Sequence, residues 1–303
     1  MAPTTQKALT IPAEKEPFKL VTGWPVPQPS PTDVLVKLVS VALNPVDAFV
    51  QAQGGHDLVP GYLYVAGFDG TGIVEEVGAE VTNVAKGDKV LVQGTFNNIH
   101  TTFQKYTLQL AKYVGKIPDN ITFDQAATIS LCLATVVTGI WVDEEDSRSE
   151  AGQTSGSTPS SARVCKASRR SSPRPPLKNE AFLKSLGAMH VIDRALSHDE
   201  IRAALPTNTP VTYVYDVFGR GRDHPQRLAY SDLVEESEQK GEGKRIARAS
   251  YSFPGNRELG VEIFKRVTGW LETGAIVPSR VEVIPGGLVE NDFSPICANT
   301  CGA

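Results

Sequence analysis

Apolar and polar positions alternate along the first third of the chain, and then the period changes. In DVLVKLVSVALNPVDAF the alternation gives way to a nearly apolar run from Val34 to Leu43, the pattern of a half-buried strand ending in a turn at Asn44-Pro45. GTGIVEEVGAEVTNVAKGDKVLV adds two β-branched runs, 72–77 and 89–92, with Lys86-Gly87-Asp88 as a tight turn between them. Short strands at this spacing predict a barrel or sandwich.

From Thr122 the pattern becomes helical. FDQAATISLCLATVVTGIW reads as one mostly buried helix opened by the first-turn carboxylate of Asp124. NEAFLKSLGAMHVIDR predicts a helix over 179–186, a stop at Gly187 and a short strand over 190–193, and PVTYVYDVFG is an apolar run suited to a strand buried on both faces. NRELGVEIFKRVTGWLETGAI is a second strong helix, with Leu259, Ile263, Val267 and Leu271 on one face and Gly274 at its end. Strands alternating with helices imply a doubly wound α/β unit behind the β domain.

Composition narrows this picture. With 303 residues, 41% hydrophobic and 21% charged, the chain can support two cores. A net charge of -4 gives no electrostatic reason to expect nucleic acid or an anionic membrane as partner. The first residues lack a signal-peptide core and no eighteen uncharged apolar residues run together, so a cytoplasmic location is expected. Cys132, Cys165, Cys297 and Cys301 are too few and too scattered for a disulfide framework, and the five histidines show no metal-like spacing.

The order NPVDAF, AGFDGTGIVEEVG, KGDKV, AATISLCLAT, KSLGAMHVIDR, VYDVF and NRELGV…GAIVPSRVEVIPGG resembles the medium-chain dehydrogenase/reductase superfamily. Within it, the likeness is strongest to the zinc-free enoyl reductases that act in trans with fungal polyketide synthases. The resemblance implies a GroES-like β-barrel domain over 1–124, a Rossmann-type doubly wound parallel sheet over 125–269, and a return segment over 270–303. The Rossmann-type sheet reads as incomplete, 147–177 is expected to be disordered, and the return segment reads as truncated. Zinc-dependent members carry a Cys three positions before the Asp and a Gly-His-Glu after the next strand. Those places here hold Asn44, before Asp47, and Gly67-Phe68-Asp69. A carboxamide and a phenyl ring cannot replace a thiolate and an imidazole around tetrahedral zinc, so no metal is expected.

The resemblance further implies NADPH as cofactor. Asn44, Pro45, Val46 and Asp47 would line its cleft, and Lys178, Asn179 and Arg194 would read a 2′-phosphate, which needs cations and amide donors. Ser130, Leu131, Cys132, Leu133, Ala134, Val136 and Val137 would face the substrate, with Thr135 near the nicotinamide carboxamide and Gly286 and Gly287 at the return into the cleft. Tyr64 is the candidate proton donor. The implied reaction is reduction of a carbon-carbon double bond in an unsaturated acyl substrate, free or carrier-bound, with a polyketide synthase as partner and a monomer or homodimer as the assembly. Plainer explanations exist for each residue: Asn44-Pro45 as a strand-ending turn, Asp47 as a cap, Arg194 as an exposed terminus, Thr135 and Tyr64 as core.

One segment breaks the resemblance. Between Trp141 and Lys178 relatives of this type hold a strand, a glycine-rich turn and a helix whose N–H groups receive the pyrophosphate. Residues 147–177 instead contain nine Ser, five Arg and four Pro, a composition through which no core strand can be drawn. Two explanations fit. Rebuilding each codon from Gly156 onward with the third base of one residue and the first two of the next permits IYAIQRARLQGFKA, an amphipathic helix with a Gly stop, which points to a displaced reading frame. Alternatively the stretch is a genuine Ser/Arg-rich insertion, and the chain is a non-catalytic or decayed homologue that binds an acidic partner through the basic segment 163–174.

Overall fold

The computed structural model describes residues 2–55, 58–141, 180–185, 213–216, 245–248 and 257–288. The chain forms two compact units, residues 1–134 with 256–303, and residues 135–255.

The first unit is antiparallel β structure. Strands β1 (Thr5–Ile11) and β2 (Lys19–Pro25) form a hairpin, and β4 (Tyr64–Val65) pairs with the other edge of β1. Strands β3 (Asp33–Ala42), β5 (Asp69–Val77), β6 (Lys89–Gln93), β7 (Tyr106–Leu110) and β8 (Val114–Lys116) form a five-stranded sheet in the order β7-β3-β5-β6-β8. The predicted turn between β5 and β6 closes on itself: Gly87 takes φ 93°, and the Ala85 N–H donates to Asp88 Oδ2 at 2.8 Å. One core cluster gathers Leu9, Ile11, Val50, Val65 and Phe103, and another gathers Val34, Val36, Val74, Val90 and Val92 from the five-stranded sheet.

Two expectations change near the future site. Asn44-Pro45 does not make a turn; Asn44 is the N-cap and Pro45 the first residue of helix α1 (Pro45–Gln53). Proline suits that place because it fixes a helical φ and lacks only an N–H that would have had no partner. The single helix expected from Thr122 is two: α2 (Phe123–Ala126), capped by the Thr122 hydroxyl, and α3 (Ser130–Trp141). The break has a cause. Leu131 N–H donates to Asp69 Oδ1 at 2.7 Å, so a carboxyl on the sheet fixes where α3 begins.

Helix α5 (Arg257–Glu272) also belongs to the first unit. Ile263, Val267 and Leu271 of its predicted apolar face are buried, and Phe264 joins them. The Thr268 hydroxyl donates to Lys116 O at 2.9 Å, and the Asn120 amide donates to Leu271 O at 3.0 Å. A Cβ at Gly115 would lie 2.5 Å from Val267 Cγ1, so β8 has a glycine where α5 comes closest. These contacts place α2, the start of α3 and all of α5 with the β unit, whereas the expected bounds fell at 124/125 and 269/270.

In the second unit the described residues include α4 (Glu180–Ser185) and a parallel pair, β9 (Tyr213–Asp216) with β10 (Arg245–Arg248). Parallel pairing is what a doubly wound sheet requires. Lys178, Asn179, Arg194, the expected strand over 190–193 and the whole of 147–177 lie outside the described residues.

Candidate active site

The site is built around Asn44, which links two buried carboxyls. Its backbone N–H donates to Asp47 Oδ2 at 2.8 Å, and its side-chain amide donates to Asp69 Oδ2 at 2.9 Å. The other Asp47 oxygen accepts from the Gly67 N–H at 3.1 Å. The other Asp69 oxygen accepts from the Leu131 N–H. Four pieces of chain thereby converge on one polar network: the start of α1, the turn before β5, the start of β5 and the first turn of α3.

Gly67 makes this convergence possible. Its φ of 100° favours glycine, and a Cβ there would lie 2.6 Å from the Phe103 backbone nitrogen. Both carboxyls are held up near 7, against an ordinary 3.8. For Asp47 burial raises the value most, the Asn44 N–H lowers it, the Asp69 charge raises it and the Gly67 N–H lowers it. For Asp69 burial again leads, opposed by the Leu131 N–H and the Asn44 amide. Neutral donors thus recover only part of the charge solvation lost on burial.

The residues expected at a site fall into groups. Asn44, Pro45, Val46 and Asp47 are the cap and first turn of α1, with Pro45 exposed and Val46 packed on the core cluster that contains Val50. Ser130, Leu131, Cys132, Leu133, Ala134, Thr135, Val136 and Val137 are consecutive residues of α3; Ser130 and Ala134 are buried and Cys132 is exposed. Gly286 and Gly287 make an exposed turn with φ of 109° and 62°, and the next residue, Leu288, packs on the same cluster as Val46.

Tyr64 does not fit the role expected of it. It is fully buried in β4 and belongs to the apolar cluster, and burial, followed by the charge of Asp47, pushes its phenol well above the usual range. Its hydroxyl is buried and has no hydrogen-bond partner among the described residues.

Two polar residues were missed by the sequence. Asp69 sits in the quoted AGFDG motif, where it entered only as a departure from a zinc ligand set. Gln93 ends β6 directly opposite Asp69, and no motif marks it. A polar residue closing an apolar strand was the only available signal.

Asn44 and Phe68, the two departures from the zinc-ligand pattern, are both engaged within the β unit. The Asn44 amide is used on Asp69, and Phe68, which is buried, stacks edge-to-face on Phe96 with ring centroids 4.8 Å apart.

A curled antiparallel β unit and a second unit with a parallel strand pair accord with a GroES-like domain joined to an α/β domain. Residues 30–123 match the alcohol dehydrogenase GroES-like domain family. The chain is 35% identical over 150 residues to dehydrogenase pigH of Monascus ruber, a match that covers 46% of this chain and only 40% of that protein. It is 25% identical over 329 residues to trans-enoyl reductase grgB of a Penicillium species, covering 94% of this chain and 92% of that one. Among solved structures, the CurK enoyl reductase superposes with a TM-score of 0.60 at 15% identity, over 92% of this chain and 91% of that one. The chain is a member of the medium-chain dehydrogenase/reductase superfamily, close to the fungal enoyl reductases.

Proposed function

We propose that this protein is a zinc-independent, NADPH-dependent reductase of activated carbon-carbon double bonds, acting on an unsaturated acyl thioester of the kind made by a polyketide synthase. The observation that carries this reading is the Asn44 network, which ties the start of α1 to the first turn of α3. Those are the two segments the family resemblance assigns to cofactor and substrate. The parallel pair β9-β10 supplies strand geometry suited to a nicotinamide dinucleotide.

When bound, the cofactor supplies hydride. The chain's own residues do the rest: Asn44 and Asp47 fix the α1 cap, Asp69 fixes the α3 start, and the apolar side chains of α3 exclude water from the acyl chain. Zinc independence is supported by the occupation of the ligand positions by Asn44 and Phe68.

Thermal unfolding with and without NADPH tests the reading, because a ligand that binds only the folded state raises the midpoint. At about 100 times the dissociation constant the gain is about 2.7 kcal/mol, and NADPH consumption with a crotonyl thioester should then survive prior dialysis against EDTA. No midpoint shift at millimolar NADPH sinks the reading and leaves the non-catalytic alternative. Loss of turnover on chelation, restored by zinc, sinks the zinc-independent part alone.

A further inference from the structure

Within the first unit, between α5 and the β8 edge of the five-stranded sheet, lies an open groove of about 660 Å³. It is lined by none of the residues of the Asn44 network, and its size falls in the range of small-molecule sites, roughly 300–1,000 Å³. Residues from four separate stretches, 32, 80–83, 110–116 and 261–268, make its walls. Those stretches are tied to one another. The Asn83 amide donates to Ala111 O at 2.8 Å, the Ala111 N–H donates to Thr32 O at 3.0 Å, and the Thr268 hydroxyl donates to Lys116 O at 2.9 Å. The groove is therefore built into the fold.

Its lining joins apolar surface to positive charge. Phe264 and Val114 are buried beneath it, while Val81 and Val261 are only half-buried and leave apolar wall within reach of a ligand. Three lysines, Lys112, Lys116 and Lys265, face a single carboxylate of the lining, Glu80, although the chain as a whole carries a net charge of -4. Two of the three are already matched: Lys116 by Asp88 at 2.8 Å and Lys265 by Glu262 at 2.9 Å. Lys112 is exposed and has no carboxylate partner among the described residues; its ammonium lies 5.2 Å from the centroid of the Tyr113 ring. One unmatched cation beside an apolar floor suits an anion with one charge and an apolar body. A phosphate monoester brings a second charge, which could be met only by breaking one of the two ion pairs.

We propose that this groove binds an amphipathic monocarboxylate, with the carboxylate on Lys112 and the apolar chain along Val81, Val261 and Phe264. Thr32 and Thr82, on the same walls, offer hydroxyl donors to the second carboxylate oxygen. The site is separate from the reductase reading above and does not depend on it. Its occupant touches α5 and the β unit together, so binding clamps the helix to the sheet and raises the unfolding midpoint.

Calorimetric titration of the full chain with decanoate, decanol and acetate, all kept below micelle-forming concentrations, tests both halves of the site. Decanoate should bind at least tenfold more tightly than decanol, which lacks the charge, and than acetate, which lacks the chain. Lys112→Gln should weaken decanoate binding about tenfold, the loss of one charge-assisted contact, and leave decanol binding unchanged. Lys112→Arg keeps the charge and should retain decanoate binding, as should Lys86→Gln, which removes an exposed lysine outside the groove. Decanoate carrying a photoreactive diazirine in its chain should label wild-type peptides that span 80–83 or 261–268, a readout that stands even if a variant fails to fold. Equal affinity for decanoate and decanol, undiminished binding by Lys112→Gln, or label confined to α1 or α3 would each overturn the proposal. So would displacement of decanoate by a crotonyl thioester, which would place the acid in the substrate cleft.

Discussion

Replacing Asp69 with Asn sets burial against hydrogen bonding at one carboxyl. Each Asp69 oxygen accepts one bond, 2.7 Å from Leu131 N and 2.9 Å from Asn44 Nδ2. An Asn side chain has a single acceptor oxygen, so its NH₂ must face one of those two donors, at a cost of about 1–3 kcal/mol. The amide, however, never ionises. With the carboxyl raised from 3.8 to about 7 in the folded state, the stability Asp69 contributes is fully present below about pH 4 and is lost as pH rises through 7. That loss amounts to roughly 4 kcal/mol. Wild type should therefore be the more stable protein at pH 4.5, and the advantage should shrink and reverse by pH 8. At about 2–4 °C per kcal/mol for a chain of this size, the difference between the two unfolding midpoints should change by about 10 °C across that window. Thermal unfolding of both proteins at matched pH values reads it, with a smaller opposing contribution from Asp47, whose value falls when the Asp69 charge that raises it is removed. A midpoint difference that stays constant from pH 4.5 to 8 would refute the reasoning, because it would mean that the two donors solvate the carboxylate as well as water does.

Other expectations test separate parts of the fold. Gly67→Ala combines a φ of 100° with a Cβ 2.6 Å from a backbone nitrogen, and should lower stability by about 3 kcal/mol or more in urea titration; a loss under 1 kcal/mol would show that the turn before β5 can relax. Leu271→Ala removes a side chain 2% exposed at the end of α5 and should cost about 2–5 kcal/mol, so an unchanged urea midpoint would contradict the packing of α5 described above. Thr122→Ala removes the hydroxyl that accepts from the Gln125 N–H at 3.2 Å and should cost about 1 kcal/mol, measured the same way, with no change in NADPH affinity.

What the sequence carried was whatever repeats locally. The strands near 34–42, 72–77 and 89–93, the turn at Gly87 and the buried face of α5 all follow from period and turn chemistry, which neighbouring residues enforce by themselves. Motif order, read as a resemblance, also carried the superfamily. Tertiary structure decided the rest. Asn44-Pro45 reads as a turn until Asp47 and Asp69 take up its amides, and the apolar run after Thr122 reads as one helix until a carboxyl 62 residues earlier in the chain fixes a second start. Asp69 gained its significance only by meeting the Asn44 amide and the Leu131 N–H in the folded chain. A polar atom's role depends on what burial leaves for it to bond, and that is a property of the assembled fold, which periodicity along the chain does not encode.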